Sequence, residues 1–394
     1  MSHILNKFAP MFHPRSIAFI GASNTVTKWG FLILFNLLDG GYEGRVYPIN
    51  PRESEVMGIP AYPAIQDVPD PVDLAIIVVP PPQVLTVLRQ CIEKRVPAGV
   101  VITAGFGELG EKEKEMEREM VRLAQAGGMI LAGPNCAGVL NSRLNLFCLM
   151  PPFFPKAGDI SMCSQSGNVG ASMLRFSSHR EMGFGKFIST GNEADLHTED
   201  YLEYFGEDPE TRVILSYMEG PHDGRRLFET ARTVAKKKPI IMIKSGRTSA
   251  GEKAARSHTG SLAGSDDIFD VMCRQSGITR VEDIEQMFDT SRAFLRQQRL
   301  HLLVQPPDLP HAALDLGRIR PGVDLRRGVV VILVLVVVGR LLALALGLGF
   351  LFFLGLFLGL VVGAVARLGH LVGLVGIDEA HHQVGQAGLA GGDR

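Results

Sequence analysis

Two titratable side chains and a set of small-residue turns carry the chemistry legible in this sequence. Ser257-His258-Thr259-Gly260-Ser261 sets one imidazole among glycines and hydroxyls, at the end of a long small-residue run that starts after Lys244. A neutral imidazole is a competent nucleophile toward phosphorus, and a carboxylate at its second ring nitrogen fixes the tautomer. Glu219 supplies a carboxylate at the end of the apolar run 213–217. The plain readings of the same residues are a histidine on a surface loop and a solvated glutamate. Upstream, Ser164-Gln165-Ser166-Gly167-Asn168 follows a β-like run and opens a helical one. Free N–H groups and the positive end of the helix dipole there suit a phosphate. A serine N-cap with no ligand has the same appearance.

A second small-residue turn lies near the start of the chain. Residues 17–20 run into Gly21, Ala22 and Ser23, then Lys28, and a helical stretch follows. Such a turn lets backbone N–H groups approach a phosphate at the first helix, although the pattern is not G-x-G-x-x-G, and a tight turn without a ligand is the alternative. Where a nicotinamide-dinucleotide fold needs an acidic residue for the ribose, this chain has Asn50, Pro51 and Arg52. Asn50, Arg52 and Lys28 suit an additional phosphate instead, as the 3′-phosphate of CoA requires. Val79 and Pro80, and Thr103, Ala104 and Gly105, end two further β-like runs, where open α/β sheets bind ligands.

The elements that must position these residues alternate strand and helix. Runs at 16–20, 45–49, 74–79, 99–103 and 129–132 read as strands, with a clear amphipathic helix at Glu111–Ala126. After Pro151, Pro152 and Pro155 the alternation resumes at 159–163, 185–188, 213–217 and 239–244 and closes on a helical stretch at 282–295. Two α/β domains with parallel sheets are expected, one over 1–146 and one over 151–298. The balance of 40 Lys+Arg against 41 Asp+Glu leaves no electrostatic footprint for nucleic acid or an anionic membrane. Five cysteines without C-x-x-C spacing, and residues 1–14 without an apolar signal core, point to a reducing, cytoplasmic compartment.

Residues 299–394 are of another kind. From 300 onward Ser, Thr, Lys, Asn, Cys, Met, Tyr and Trp are all missing, while Leu, Val and Gly dominate. Hydropathy reads the uncharged run 341–366 as a membrane span, whereas translation of GC-rich DNA in a shifted frame accounts for the missing residue types. Neither reading gives this low-complexity tail any chemistry.

Six motifs in one order, over roughly residues 10–296, resemble the NDP-forming acyl-CoA synthetases. They are Ile20-Gly21-Ala22-Ser23, Gly133-Pro134-Asn135-Cys136, Ser164-Gln165-Ser166-Gly167, Gly191-Asn192-Glu193-Ala194-Asp195, Tyr217-Met218-Glu219-Gly220 and Ser257-His258-Thr259-Gly260-Ser261. The sequence is similar to the α-subunit of ADP-forming acetyl-CoA synthetase and, more distantly, of succinyl-CoA synthetase. The resemblance implies a Rossmann-like CoA-binding domain followed by a flavodoxin-like CoA-ligase domain. By that likeness Gly21, Ala22, Ser23, Lys28, Asn50, Pro51, Arg52, Val79, Pro80, Thr103, Ala104 and Gly105 hold CoA. Ser164, Gln165, Ser166 and Gly167 hold phosphate, His258 takes the phosphoryl group, and Glu219 orients it. ATP or ADP and Mg²⁺ belong to an ATP-grasp β-subunit, a separate partner, and no metal site is expected in this chain. A non-catalytic CoA-binding regulatory module is the competing function. Where the family continues into a third, flavodoxin-like domain, this chain has the Leu/Val/Gly-rich tail.

Overall fold

The computed structural model of the chain describes residues 2–246 and 266–304. The His258 loop and the tail lie outside the described residues. Short apolar runs become strands buried on both faces, the pattern expected of parallel strands covered by helices. In the first half these are β1 (Ser16–Ile20), β2 (Arg45–Ile49), the small antiparallel pair β3 (Glu55–Val56) and β4 (Ile59–Pro60), β5 (Leu74–Ile77), β6 (Ala98–Val101) and β7 (Ile130–Ala132). Helices α1 (His3–Phe12), α2 (Trp29–Asp39), α3 (Pro81–Glu93) and α4 (Glu111–Ala126) accompany them. The first sheet runs β2-β1-β5-β6-β7, and every pairing in it is parallel.

The chain then enters the second sheet through β8 (Gly138–Asn141), β9 (Leu146–Leu149), β10 (Ala157–Ser164), β11 (Phe184–Ser189), β12 (Val213–Met218), β13 (Ile240–Lys244) and β14 (Ile278–Val281). Its helices are α5 (Gly167–His179), α6 (Thr198–Glu207), α7 (Gly224–Val234), α8 (Asp266–Ser276) and α9 (Ile284–Val304). The order is β14-β13-β12-β10-β11-β8-β9, parallel except at the β11–β8 and β8–β9 pairs. The sequence reading left residues 138–146 in the first domain, but by hydrogen bonding β8 and β9 are strands of the second sheet.

In each sheet the strand order reverses at one strand, at β1 in the first and β10 in the second. Such switch points open a crevice at the carboxyl ends of the strands. The Gly21 turn follows β1 and the Ser164–Gly167 turn follows β10, so topology alone puts both at ligand-binding edges. One apolar cluster joins the sheets, running from Ile17, Phe19 and Ile76 to Ile188, Ile214 and Tyr201. Phe8 and Phe12 of α1 stack on Tyr204 of α6 at centroid distances of 5.0 and 4.8 Å, fastening the N-terminal helix to the second half.

Candidate active site: a cleft between two switch points

A single cleft of ≈ 1610 Å³ takes in both turns. Of the residues expected to act, Gly21, Ala22, Ser23, Lys28, Asn50, Pro51, Arg52, Val79, Pro80, Thr103, Ala104, Gln165, Ser166, Gly167 and Glu219 line it. Gly105 and Ser164 do not, and His258 lies outside the described residues.

The first turn is built for close backbone approach. Gly21 has φ +93°, and a Cβ there would sit 2.3 Å from the Val78 carbonyl oxygen, so no side chain is accommodated. Asn50 donates through Nδ2 to the Ala22 carbonyl at 2.8 Å and accepts from the Arg52 N–H at 2.8 Å. Its amide braces the turn, and the basic side chains exposed at this end of the cleft are Lys28 and Arg52. Thr103 is likewise committed, its Oγ1 donating to the Val79 carbonyl at 2.7 Å and locking two strand ends together.

The second turn divides its labour differently from the sequence expectation. Ser164 is buried and donates to the Ser166 carbonyl at 2.7 Å, so its hydroxyl shapes the turn. Gln165 accepts from the N–H groups of Glu219 at 2.5 Å and Gly220 at 3.2 Å, and donates to the Gly220 carbonyl at 3.0 Å. Its side chain is a clamp on the Glu219 peptide. Ser166 caps α5, accepting from Val169 N–H at 3.3 Å. The N–H groups left to meet an anion are those of the first turn at Gly167 and Asn168, both on the cleft wall. Glu219 itself is 6 % exposed, held where β12 ends beside β10.

Two residues that the sequence left without a role line the same space, Asn135 and Asn192. Cys136 also lines it, but its buried Sγ donates to the Val101 carbonyl at 3.2 Å, and burial pushes the thiol up to about 12, which removes it as a nucleophile.

The family model of a CoA binding domain matches residues 15–142, and that of a succinyl-CoA ligase like flavodoxin domain matches 157–294. The α-subunit of an ADP-forming acetate–CoA ligase II from Pyrococcus furiosus is 46% identical over 284 residues, covering 72% of this chain and 62% of that one. This chain belongs to the NDP-forming acyl-CoA synthetase family. An ADP-forming acetate–CoA ligase of Methanocaldococcus jannaschii is 43% identical over 72% of this chain and 40% of its own length. The dinucleotide-forming acetyl-coenzyme A synthetase 1 of Ca. Korarchaeum cryptofilum, solved with phosphate and ADP, aligns with a TM-score of 0.70 at 42% identity, over 73% of this chain and 62% of that one. The present chain thus spans less than two thirds of the length of these relatives. The two matched α/β domains stand in order, the CoA-binding one first. Among the described residues no helix is long and apolar enough to cross a membrane.

Proposed function

We propose that this chain is the CoA-binding and phosphohistidine part of an acid–thiol ligase of the ADP-forming acetate–CoA ligase type. It interconverts acyl-CoA, phosphate and ADP with a carboxylic acid, CoA and ATP. The observation that carries this reading is the shared cleft, in which a CoA-type turn with Lys28 and Arg52, the N-terminus of α5 and Glu219 open onto one volume. We assign CoA binding to the first sheet with its helices and the ligase chemistry to the second, which includes β8 and β9, and leave 299–394 outside both.

In the proposed reaction a phosphate oxygen attacks the thioester carbonyl, the C–S bond breaks, and CoA leaves as thiol. The acyl phosphate then loses its phosphoryl group to a ring nitrogen of His258, with the P–O bond breaking and the carboxylate leaving. Glu219 orients the imidazole, and the Gly167 and Asn168 N–H groups with the α5 dipole offset the phosphate charge. A partner ATP-grasp subunit would bring ADP and Mg²⁺, and the terminal phosphate oxygen of ADP takes the phosphoryl group as the His258 N–P bond breaks, giving ATP and making the working enzyme a hetero-oligomer. Five free, buried cysteines support work in a reducing, cytoplasmic compartment.

The test pairs the chain with an ATP-grasp subunit of the family, MgATP and labelled γ-phosphate. Label that is stable in alkali, labile in acid and lost in His258→Asn is expected, and Glu219→Gln lowers its rate while CoA binding stays intact. Undiminished labelling of His258→Asn removes the phosphohistidine and leaves a CoA-binding regulatory module.

A further inference from the structure

The Gly191–Asp195 turn follows β11 and belongs to the second half, yet its side chains reach into the first. Asn192 donates through Nδ2 to Glu108 Oε2 at 2.5 Å and to Glu117 Oε2 at 2.8 Å, and its Oδ1 accepts from Asn135 Nδ2 at 3.1 Å. Those two carboxylates hold the loop after β6. Glu108 accepts from the N–H groups of Gly105 at 2.5 Å and Phe106 at 3.2 Å, and Glu117 from Gly107 N–H at 3.1 Å. The turn is made for this reach, since Gly191 has φ +59° and a Cβ on it would lie 2.1 Å from the Pro134 carbonyl oxygen. Asp195 makes a second tie, accepting from Leu131 N–H at 2.9 Å and Gln125 Nε2 at 3.0 Å, away from that loop.

We infer that Asn192 is a positioning residue for the CoA site, whose amide, set between Glu108 and Glu117, fixes the Gly105–Gly107 backbone and through it the adjoining Thr103 and Ala104, which line the cleft. The inference rests on the proposed CoA-binding reading. An amide is the group this place needs. It offers both carboxylates N–H donors, while any acceptor there sets a third oxygen against two anions. Burial opposes ionisation of Glu108, and the hydrogen bonds from Asn192, Gly105 and Phe106 outweigh it, holding its carboxyl below the usual range. Asn192 therefore meets a charged acceptor, for which a hydrogen bond is strongest. Glu108 and Glu117 are the titratable groups its amide touches.

Calorimetry of the full chain with CoA tests this. Asn192→Asp is expected to weaken CoA roughly tenfold at pH 8, about the worth of one charge-assisted hydrogen bond. Affinity should recover as pH falls toward 6 and the new carboxyl gains a proton to donate. The exchange Asn192→Asp with Glu117→Gln restores a donor–acceptor pair and should restore affinity at pH 8. Asp195→Ala should lower the melting temperature and leave CoA affinity unchanged. Wild-type protein that binds no CoA overturns the functional reading itself. Normal CoA affinity in Asn192→Asp, or a loss that ignores pH and the Glu117→Gln exchange, overturns only the role given to Asn192. Should Asn192→Asp fail to fold alone, the paired exchange and Glu117→Gln by itself give the same comparison.

Discussion

Gln165 shows how a side chain placed in a ligand-binding turn can serve the fold instead of the ligand. Its three hydrogen bonds to Glu219 and Gly220 span 54 and 55 positions of sequence, so nothing local marks it as a clamp, and from the sequence it groups with the phosphate holders. Gln165→Leu leaves one buried carbonyl and two N–H groups to find new partners, at a cost of about 2–3 kcal/mol at ~1 kcal/mol per bond. Chemical denaturation should show that loss together with slower histidine labelling, since Glu219 is no longer fixed. Lys28 and Arg52 make the opposite case, exposed on the cleft and readable from the sequence because they flank a small-residue turn and Asn50 stands where a dinucleotide fold carries its ribose carboxylate. Calorimetry should favour CoA over dephospho-CoA, and the preference should shrink when both residues are replaced by alanine. Equal affinity for the two ligands in the wild type would remove any role for these side chains in reading the 3′-phosphate.

At the scale of elements, most of the parallel strands of both sheets stand out in the sequence because their runs are rich in β-branched residues. Those that do not stand out are β8, β9 and β14. Strand β8 has only Val139 and Leu140 between Gly138 and Asn141, β9 is a run of just four residues, and β8 pairs with β9 on one side and with the distant β11 on the other. The edge strand β14 has just four residues, including Thr279 and Arg280. Helix α6 holds an expectation of its own. Glu199 is 1 % exposed, with neither carboxylate oxygen bonded among the described residues, and burial pushes its pKa up to about 7. The folded state then binds a proton that the unfolded state releases above its ordinary value of 4.5, so this group's contribution is fully present at acidic pH and is lost as pH rises through about 7. Glu199→Gln, a fixed mimic of the protonated acid, should raise the melting temperature relative to wild type at pH 8 and change it little at pH 5. A gain of equal size at both values would mean that Glu199 is neutral across the whole range or is compensated elsewhere.

For the molecule as a whole, one apolar cluster shared by both sheets implies that ligand bound at the first turn stabilises residues of the second half. CoA at about a hundred times its dissociation constant should stabilise the folded chain by ~2.7 kcal/mol, and protection from hydrogen exchange should rise in β10–β12 as well as in β1–β6. Protection confined to the first sheet would mean the halves open independently. Beyond residue 298 the missing residue types make a prediction about the gene. A shifted reading frame downstream of that codon should restore a Gly-rich flavodoxin-like sequence, and stop codons in every other frame would mark the tail as genuine.

The place where the chain changes sheets also bears on how the protein is born. Strands β8 and β9 leave the ribosome before β11, against which β8 must pair, and at roughly 5–20 residues per second their partner follows only after a few seconds. In that interval their apolar faces have the first half to rest on, for Asn36 of α2 donates through Nδ2 to the Leu149 carbonyl at 2.8 Å and Asn141 donates through Nδ2 to the Phe12 carbonyl at 2.8 Å. The finished N-terminal half thus offers the nascent hairpin a surface to rest on while translation catches up.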